Sequence, residues 1–571
     1  MPAEAIPLRR GAFVLLCALL TAGLGWLLLR VLAPGGWTGW EVLLLLGWLG
    51  GVPWLAISGA NGLIGFAILL LSRDPAALVV PQLRHPAPRP PGLRTAILIC
   101  VRDEDMEAVL PPVERLVREL EAAGAGEAFA VWFLSDTTGA AGAAREAAAV
   151  AALAAARAGR PPALHYRRRT ENTGFKAGNV MDFLDRHAAG LDLFLCLDAD
   201  SEMSAVAVLR LVGCMEADPR LAILQPLIVG RPARAAFPRL FQFGMRAGMR
   251  AWATGQAWWQ GDAGPYWGHN AVARIAPFRD HARLAPLPDG SAILSHDQVE
   301  AARLTAAGWK VRCLPEAAGS LEGNPPALPP FLARDRRWGA GNMQYRHLLL
   351  RPGLSGMGRW QLLQAMLLFL TAPLWWVVLL AAVGNAATRG GAATPPGALG
   401  LVLAAHWLCA YAPKLLGYAE VLLRPGRASR YGGRGRFAAG ALLEIAFTQL
   451  LDPVSLLNKA LLLPALVLGR DPWAPQQRGE AGVRWGDALR LLWPHTLIGL
   501  GCAAALATAS GTALAWGLPF LLGPVLSVPF CVWTAGPALS AALREGGIAA
   551  TPEEVAGRAG GRAGLSPPPA G

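Results

Sequence analysis

The chain has 571 residues, of which 54% are hydrophobic and only 16% charged, and it contains 21 Trp. This composition is too apolar for an ordinary soluble protein and indicates membrane spans combined with a soluble domain. The formal charge is +13, and since Lys occurs only four times, 48 of the 52 basic residues are Arg. We attribute this charge to an excess of basic residues on one side of the membrane and to a basic substrate site, so nucleic-acid binding is not expected. The eight Cys residues form no C-x-x-C pair, which argues against a zinc site or a disulfide framework.

Long apolar stretches divide the chain into three parts. A membrane-spanning helix needs about 20 apolar residues, and two N-terminal stretches, 11–33 and 42–71, meet that length. The first is too long for a signal-peptide core and is soon followed by the second, so we expect it to remain uncleaved. The later stretches are 359–384, 397–423, 440–469, 494–513 and 515–537.

These stretches set the expected domain organisation. We predict two transmembrane helices over 1–72, a domain of ordinary polarity over 73–355, transmembrane or interfacial helices over 356–540, and a disordered tail over 541–571. Arg residues precede the first stretch and follow the second, whereas the loop between the two stretches has no Lys or Arg. This asymmetry predicts that the N-terminus and the central domain lie in the cytoplasm.

Two C-terminal stretches combine apolar and charged residues. Residues 440–469 contain Asp452, Pro453 and Lys459 and have basic flanks. These features favour an interfacial or re-entrant element, with a simple span as the alternative. Residues 484–493 have the spacing of a helix and are expected to lie along the membrane surface.

Apolar strands alternate with helical segments in the central domain. The sequence predicts strands at 95–101, 128–136, 163–169 and 191–200. Such alternation predicts an α/β fold in which helices cover both faces of a mostly parallel sheet. Ligands of such sheets bind beyond the carboxyl ends of the strands. Acidic residues lie at the carboxyl ends of three of these strands, and they are Asp103, Glu104, Asp105, Asp136, Asp198 and Asp200.

The segment "LDADS" holds the most informative pair of carboxylates. In an extended strand, residues i and i+2 point the same way, so Asp198 and Asp200 can face one site. Two hard oxygen ligands with room for water suit Mg²⁺ or Mn²⁺, and such a cation neutralises a diphosphate. The alternative for so short a pattern is a solvated loop cap.

Three further residues extend the candidate site. Lys176 lies in a Gly-flanked turn before a helix, where a diphosphate would bind, although such a turn is also ordinary helix-start chemistry. Asp297 lies at a predicted helix start, where an N-cap is the alternative role. Trp338 is surrounded by Arg just before a membrane stretch, which suits a sugar chain and a diphosphate, with a solvated basic face as the alternative.

The order of these motifs resembles a known group of enzymes. "VRDED", "LSDTT", "GFKAGN", "LDADS", "YWGHNAVAR", "SHD" and "RDRRW" follow the layout of processive inverting glycosyltransferases with a GT-A fold, which include cellulose and hyaluronan synthases. "YRRRTENTGFKAGNVMDF", "WWQGDAGPYWGHNAVAR" and "ILSHDQVEAARLTAAGWKV" resemble more narrowly the glucans biosynthesis glucosyltransferase H family, which makes osmoregulated periplasmic glucans. The resemblance runs from about residue 95 to 350 and continues weakly to 537.

The resemblance implies roles for the residues on the donor side. Glu104 and Asp136 would contact the uracil and ribose of UDP-glucose, and Lys176 would meet its phosphates or glucose. Asp198 would help to hold the nucleotide sugar, and Asp200, with Asp198, would bind the Mg²⁺ or Mn²⁺ ion. These residues are matched to the family motifs one by one.

The resemblance also implies roles on the acceptor side. Asp297 matches the general base of the "TED" motif, written here as "SHD". Arg337 and Trp338 match the end of the Q-x-x-R-W motif, whereas Arg334 takes the Gln position, which puts a cellulose-like acceptor geometry in doubt. The segment "YWGHN" replaces the acceptor-side "FFCGS" of cellulose synthase, so Trp267, His269 and Asn270 are candidates for acceptor contact, with packing as the plainer role for His269.

The function that follows is UDP-glucose-dependent synthesis of a linear β-1,2-glucan backbone, coupled to export across the bacterial inner membrane. The implied partners are UDP-glucose, the growing glucan chain and the lipid bilayer, with acyl carrier protein and periplasmic glucan-processing proteins as further candidates. The rival functions are another β-glucan synthase of the cellulose type, a nucleotide-sugar-gated glucan transporter, and a transferase that makes glycolipids.

Overall fold

Two long helices open the chain. The computed structural model describes residues 5–85, 90–389, 393–469 and 482–559. Helix α1 covers Ile6–Leu32 and α2 covers Gly39–Leu71. Helix α2 begins with a capping box: the Glu41 backbone N–H donates to Thr38 Oγ1 over 3.1 Å, and the Thr38 N–H donates to Glu41 Oε2 over 2.8 Å. These bonds satisfy backbone donors that a helix start otherwise leaves unpaired.

The central domain follows with alternating strands and helices. Its elements are α3 (Pro75–Val79), β1 (Thr95–Val101), α4 (Met106–Ala122), β2 (Phe129–Ser135), α5 (Ala140–Ala156), β3 (Ala163–Arg168), α6 (Phe175–Arg186), β4 (Leu193–Asp198), β5 (Glu202–Met203), α7 (Ala205–Ala217), β6 (Leu221–Pro226), β7 (Val229–Gly230), α8 (Ala236–Gln260), β8 (Ala271–Arg274), α9 (Ile275–His281), α10 (Asp297–Ala306), β9 (Lys310–Leu314), β10 (Ser320–Glu322) and α11 (Leu328–Met343). The four strands predicted from the sequence are β1, β2, β3 and β4.

The main sheet has seven strands in the order β3-β2-β1-β4-β8-β6-β9. Only β8 runs antiparallel to its neighbours, β4 and β6, so the prediction of a mostly parallel sheet is confirmed. Alternate residues of β1 enter two separate cores: Ile97 and Ile99 pack with α4 and α7, while Ala96 and Leu98 pack with α6, α9 and α10. Burial on both faces explains why β1 is an unbroken apolar run.

A second, small sheet lies beside the carboxyl end of β4. Its order is β5-β10-β7, and β10 is antiparallel to β5 and parallel to β7. Since β5 begins at Glu202, directly after the "LDADS" turn, this pairing brings Glu322 at the end of β10 close to Asp198 and Asp200.

The C-terminal helices are α12 (Gly356–Arg389), α13 (Pro396–Leu423), α14 (Arg434–Val467), α15 (Trp485–Ala509), α16 (Gly511–Val525), α17 (Ser527–Ala535), α18 (Pro537–Gly546) and α19 (Pro552–Ala559). By length and apolarity, six of the helices in the described ranges can cross a membrane: α1, α2, α12, α13, α14 and α15. The pair α16 and α17, bent by 53°, would make a seventh span if it crosses as one.

The region 440–469 differs from the re-entrant element that the sequence favoured. Residues 440–467 belong to α14, a single unbroken helix of 34 residues, and 468–469 form the turn after it. Its charged residues have partners: Asp452 accepts a hydrogen bond from Tyr411 over 3.0 Å, and Lys459 lies 3.5 Å from Asp335. Because these contacts satisfy the polar groups, the helix needs no break. An interfacial position for α14 stays a prediction.

Two other predictions near the C-terminus are corrected. Residues 484–493 do not form a separate surface helix, because they are continuous with the rest of α15. The tail predicted to be disordered from 541 is helical over much of 541–559. Glu553 and Glu554 of α19 pair with Arg246 and Arg239 of α8 over 2.7 and 2.5 Å, which anchors this segment. Residues 560–571 lie outside the described residues.

Helix α8 joins the central domain to the membrane helices. It packs against α2 and α13 through contacts between small residues. A Cβ on Gly65 would overlap the Ala251 carbonyl, and one on Gly417 would overlap the Ala247 carbonyl. The backbones therefore approach more closely than larger side chains would allow. Through α8, the central domain packs directly against helices that are candidates to cross the membrane.

Candidate active site

Asp136 follows β2 and is held by an arginine fork. Arg169 donates from Nε to Asp136 Oδ1 over 2.5 Å and from Nη2 to Oδ2 over 2.8 Å. The same guanidinium donates to the Phe175 carbonyl over 2.7 Å. Such two-point pairs fix direction as well as charge. Arg169 therefore ties the end of β2 to the turn that carries Lys176, a role that sequence analysis did not assign.

A buried carboxylate holds the neighbouring loops in place. Glu146 of α5 accepts hydrogen bonds from Ser135 over 2.6 Å, from Thr137 over 2.5 Å and from Tyr166 over 3.1 Å. The Asp103 backbone N–H in turn donates to Thr137 over 2.7 Å. This network positions the "VRDED" loop, which includes Glu104, against the "LSDTT" turn. Glu146 was missed because it lies inside an Ala-rich helix.

Lys176 and Asp198 form an ion pair at the carboxyl end of β4. Lys176 Nζ also donates to the Gly268 carbonyl over 2.9 Å. Burial alone would lower the pKa of Lys176, but the adjacent Asp198 carboxylate raises it above its usual value. Lys176 is thus a fixed cation at the edge of the sheet, where a diphosphate would need one.

Asp200 lies two residues beyond Asp198 and faces the end of β10. A Cβ placed on Gly323 would lie 3.1 Å from Asp200 Oδ2, so only glycine leaves this space open. Within the described ranges, no three His, Cys, Asp or Glu side chains converge as a metal site. The two aspartates nevertheless fit Mg²⁺ or Mn²⁺, whose other ligands would be water and diphosphate oxygens.

His269 and Glu322 form a second polar group near the aspartates. His269 Nε2 lies 3.5 Å from Glu322 Oε2, and Nδ1 lies 3.3 Å from Ser201 Oγ. Burial raises the pKa of Glu322, and the charges of Asp200 and Asp198 raise it further, whereas His269 and Arg334 act in the opposite direction. Glu322 was missed because it belongs to a strand of three residues with no strong sequence signal.

The other two residues of "YWGHN" have different surroundings. The Trp267 backbone N–H donates to Gln225 Oε1 over 2.9 Å, and its ring is partly exposed. Asn270 is completely buried and donates to Ser320 Oγ over 3.1 Å. The contact with an acceptor sugar expected of Asn270 is therefore not supported, because its side chain secures β10 instead.

Asp297 is the first residue of α10 and faces the Gly268 turn. A Cβ on Gly268, which has a left-handed φ of +82°, would lie 3.5 Å from Asp297 Cβ. Burial raises the pKa of Asp297, while the neighbouring His296 lowers it. Since Lys176 binds the carbonyl of the same glycine, Asp297 and the Lys176–Asp198 pair lie on two sides of one turn.

Helix α11 supplies the aromatic and cationic wall. The Arg334 guanidinium lies 4.5 Å from the Trp338 ring centroid and 5.6 Å from that of Phe331, distances at which a cation is attracted to a ring face. Burial lowers the pKa of Arg334. The opposite effect, an increase in that pKa, comes from the negative charges of Glu322, Asp335 and Asp200. Trp338 is 49% exposed, and Arg337 is partly buried on the same helix.

The structure therefore brings most of the predicted residues to one edge. Lys176, Asp198 and Asp297 surround the Gly268 turn, while Asp200 and Arg334 both lie within electrostatic reach of Glu322. Asp136 is two strands away from Asp198 in the sheet order, about 10 Å at the usual strand spacing. A sugar nucleotide spans such a distance.

A family model matches part of the chain. The model for "Glycosyl transferase family group 2" matches residues 193–412, which include Asp198, Asp200, Asp297 and the Arg334–Trp338 segment. A mannosyltransferase from Pyrobaculum calidifontis, solved with GDP-Man and Mn²⁺, is 16% identical and covers 65% of this chain and 99% of its own. Its TM-score of 0.39 is too low to support an inference about this chain.

Curated relatives match nearly the whole chain. The protein named glucans biosynthesis glucosyltransferase H from Bradyrhizobium diazoefficiens is 35% identical over 94% of this chain and 73% of its own length. Proteins of the same name from Xanthomonas euvesicatoria and Xylella fastidiosa are each 33% identical over 93% of this chain, and over 85% and 86% of their own lengths. The expected GT-A glycosyltransferase domain, flanked by apolar helices, is thereby confirmed, and the chain belongs to the glucans biosynthesis glucosyltransferase H family.

Proposed function

We propose that this protein transfers glucose from UDP-glucose to a growing β-1,2-glucan, with inversion at the anomeric carbon, and passes the product across the bacterial inner membrane. The observation that carries this proposal is the Gly268 turn, which separates the Lys176–Asp198 pair from Asp297 by a single residue's backbone. A donor site and a base must be this close for direct transfer. The β-1,2 linkage rests on the family resemblance.

The donor would bind along the carboxyl edge of the sheet. Asp136 and Glu104 would hold the uridine, with Asp136 oriented by Arg169. Lys176 would exchange part of its contact with Asp198 for a phosphate oxygen. Asp198 and Asp200 would hold Mg²⁺ or Mn²⁺, and that ion would supply positive charge to the departing diphosphate.

The transfer step needs one base and no protein nucleophile. Asp297 would accept the proton of the attacking acceptor hydroxyl while its oxygen forms a bond to the anomeric carbon. The bond from that carbon to the UDP oxygen breaks, and UDP leaves with both bonding electrons. Attack from the face opposite to UDP converts an α-linked donor into a β-glucoside.

The acceptor would approach from α11. The exposed face of Trp338 offers a surface on which a sugar ring can pack. The acceptor side would be completed by Arg334, which is held against that indole, and by Arg337. The partly exposed Trp267 and His269 would also contribute to it. Arg334 in place of Gln would direct charged donors at the acceptor hydroxyls, which is a difference from the cellulose pattern.

The membrane helices would receive the product. Helix α11 ends at Met343 and α12 begins at Gly356, so only a short connection separates the acceptor wall from a candidate span. We therefore infer a cytoplasmic catalytic domain on an inner-membrane helix bundle, with the bilayer as its partner. Acyl carrier protein and periplasmic glucan-processing proteins are candidate partners on the resemblance alone.

Product analysis tests the proposal. Purified protein in liposomes is supplied with radiolabelled UDP-glucose and Mg²⁺ or Mn²⁺, and the linkage of the product is determined. A β-1,2 polymer supports the proposal, and a β-1,4 polymer would assign the protein to a cellulose-type reaction. UDP binding without any polymer would favour a transporter, and short products extracted by detergent would favour a glycolipid transferase. Asp297→Asn protein is the matched control.

A further inference from the structure

The residue before the proposed base is a histidine with its own carboxylate partner. His296 precedes α10, and its Nδ1 lies 2.9 Å from Oε2 of Glu300, one helical turn later. The Glu300 side chain is 3% exposed and that of His296 17%. A buried carboxylate this close fixes both the direction of the imidazole ring and its tautomer.

The ring of His296 faces the same turn as Asp297. The Cβ position of Gly268 lies 3.6 Å from His296 Cε1 and 3.8 Å from Nε2. It also lies 3.5 Å from Asp297 Cβ. The imidazole edge that Glu300 does not use therefore lies beside the Gly268 turn, as Asp297 does.

The charged groups around His296 favour its cationic form. Burial alone would lower the pKa of His296, but Glu300 and Asp297 raise it to about 8, against the opposing charge of Lys176. Two phenols complete the surroundings, Tyr266 and Tyr345, and burial raises the pKa of both. Both phenols are neutral at physiological pH. Of the charged groups, His296 lowers the pKa of Asp297 and Glu300 raises it.

We propose that His296, oriented by Glu300, is a positioning residue that keeps Asp297 ionised inside the cleft. It thereby sets the acid limb of the pH–rate profile, the pH range over which the transfer rate rises. This inference rests on the proposed function of Asp297 as the base. A carboxylic acid in a buried site favours its protonated form, which cannot accept a proton. An adjacent imidazolium opposes that effect through its charge.

The sign of the expected pH effect follows directly. Activity needs ionised Asp297, so the rate rises with pH as that carboxyl loses its proton. Removal of the His296 cation raises the pKa of Asp297, which moves this limb to higher pH. A shift of one pH unit lowers kcat/KM about tenfold on the acid side and leaves it nearly unchanged well above the limb.

The experiment compares the pH dependence of kcat/KM for UDP-glucose in the full-length protein and four variants. His296→Gln should move the acid limb upward, because His296 lowers the pKa of Asp297. Glu300→Gln frees the imidazole but also removes a charge that raises the pKa of Asp297, so its limb should move less than that of His296→Gln. His296→Lys keeps a cation and should restore much of the limb. His281→Gln, an exposed histidine at the end of α9, is the matched control and should leave the profile unchanged.

The outcomes separate this inference from the proposed function. Equal losses at every pH in His296→Gln and Glu300→Gln, with no rescue by His296→Lys, would show a purely structural role and overturn the inference. UDP affinity, measured on each variant, identifies one that fails to fold; if His296→Gln fails, His296→Asn takes its place in the comparison with His296→Lys. If the acid limb of His296→Gln is unshifted and Asp297→Asn is inactive, only the role of His296 is refuted. Full activity of Asp297→Asn would instead refute the assignment of Asp297 as the base.

Discussion

Substitution of Gly268 by Ala should stop transfer without removing the donor. The new methyl group would lie 3.5 Å from Asp297 Cβ and 3.6 Å from His296 Cε1, which is ordinary van der Waals contact. The protein therefore has room for it, but the acceptor hydroxyl does not, since it must come within about 3 Å of the base. A displacement of about 1 Å at such a site costs roughly 100-fold in rate, and we expect a loss of that size in kcat.

The backbone strain of this substitution can be measured separately. Gly268 has a φ of +82°, and an L-residue in this region costs about 1–2 kcal/mol. Gly290 has nearly the same φ, +81°, and open space around its Cβ position. Gly290→Ala therefore imposes the same strain at a position where the new methyl group would meet no other atom. The assay is glucose transfer from radiolabelled UDP-glucose, with UDP affinity from calorimetry.

The reasoning predicts a clear difference between the two variants. Gly268→Ala should lose about 100-fold in kcat and change UDP affinity by less than about threefold, because Lys176 binds the carbonyl of Gly268. Gly290→Ala should retain nearly full activity. Equal activities of the two variants, or loss of UDP binding by Gly268→Ala, would refute the placement of the acceptor in this space.

Three further predictions concern the cation, the nucleotide loops and the C-terminal segment. Asp200→Ala should weaken UDP binding in Mg²⁺ or Mn²⁺ but not in EDTA, and an equal loss in both would contradict a role in holding the ion. Glu146→Gln has one acceptor oxygen in place of two, so at least one of the buried Ser135 and Thr137 hydroxyls loses its partner. The change should cost about 1–3 kcal/mol of stability and weaken UDP binding; an unchanged melting temperature would argue against the network. Glu554→Gln leaves Arg239 buried without its carboxylate, a loss of about 3 kcal/mol. It should lower the melting temperature by several degrees, while the exposed Glu545→Gln should not.

Much of the catalytic domain could be predicted because its signals are local. An apolar run followed at once by a carboxylate predicted β4 and the position of Asp198, and the same pattern predicted β2 with Asp136. These strands are buried on both faces, so their sequences admit few other structures. The direction in which strand ends point then places their acidic residues at one edge.

The missing parts depend on contacts between distant residues. Glu322 lies in a strand of three residues whose position is set by pairing with β5, more than 100 residues earlier. Glu553 and Glu554 pair with arginines of α8 about 300 residues away, so composition alone suggested disorder. The charged residues of α14 suggested an irregular element for the same reason, because their partners Tyr411 and Asp335 lie on other helices.

The most direct test of the central claim is glucose transfer by Asp297→Asn protein, measured together with its affinity for UDP in the presence of Mg²⁺ or Mn²⁺. Loss of a general base should lower kcat by about 100- to 10,000-fold, while UDP affinity stays within a few-fold of that of the unmodified protein. Undiminished transfer by this variant would contradict the account, since the cleft around Gly268 would then not be the place where the acceptor loses its proton.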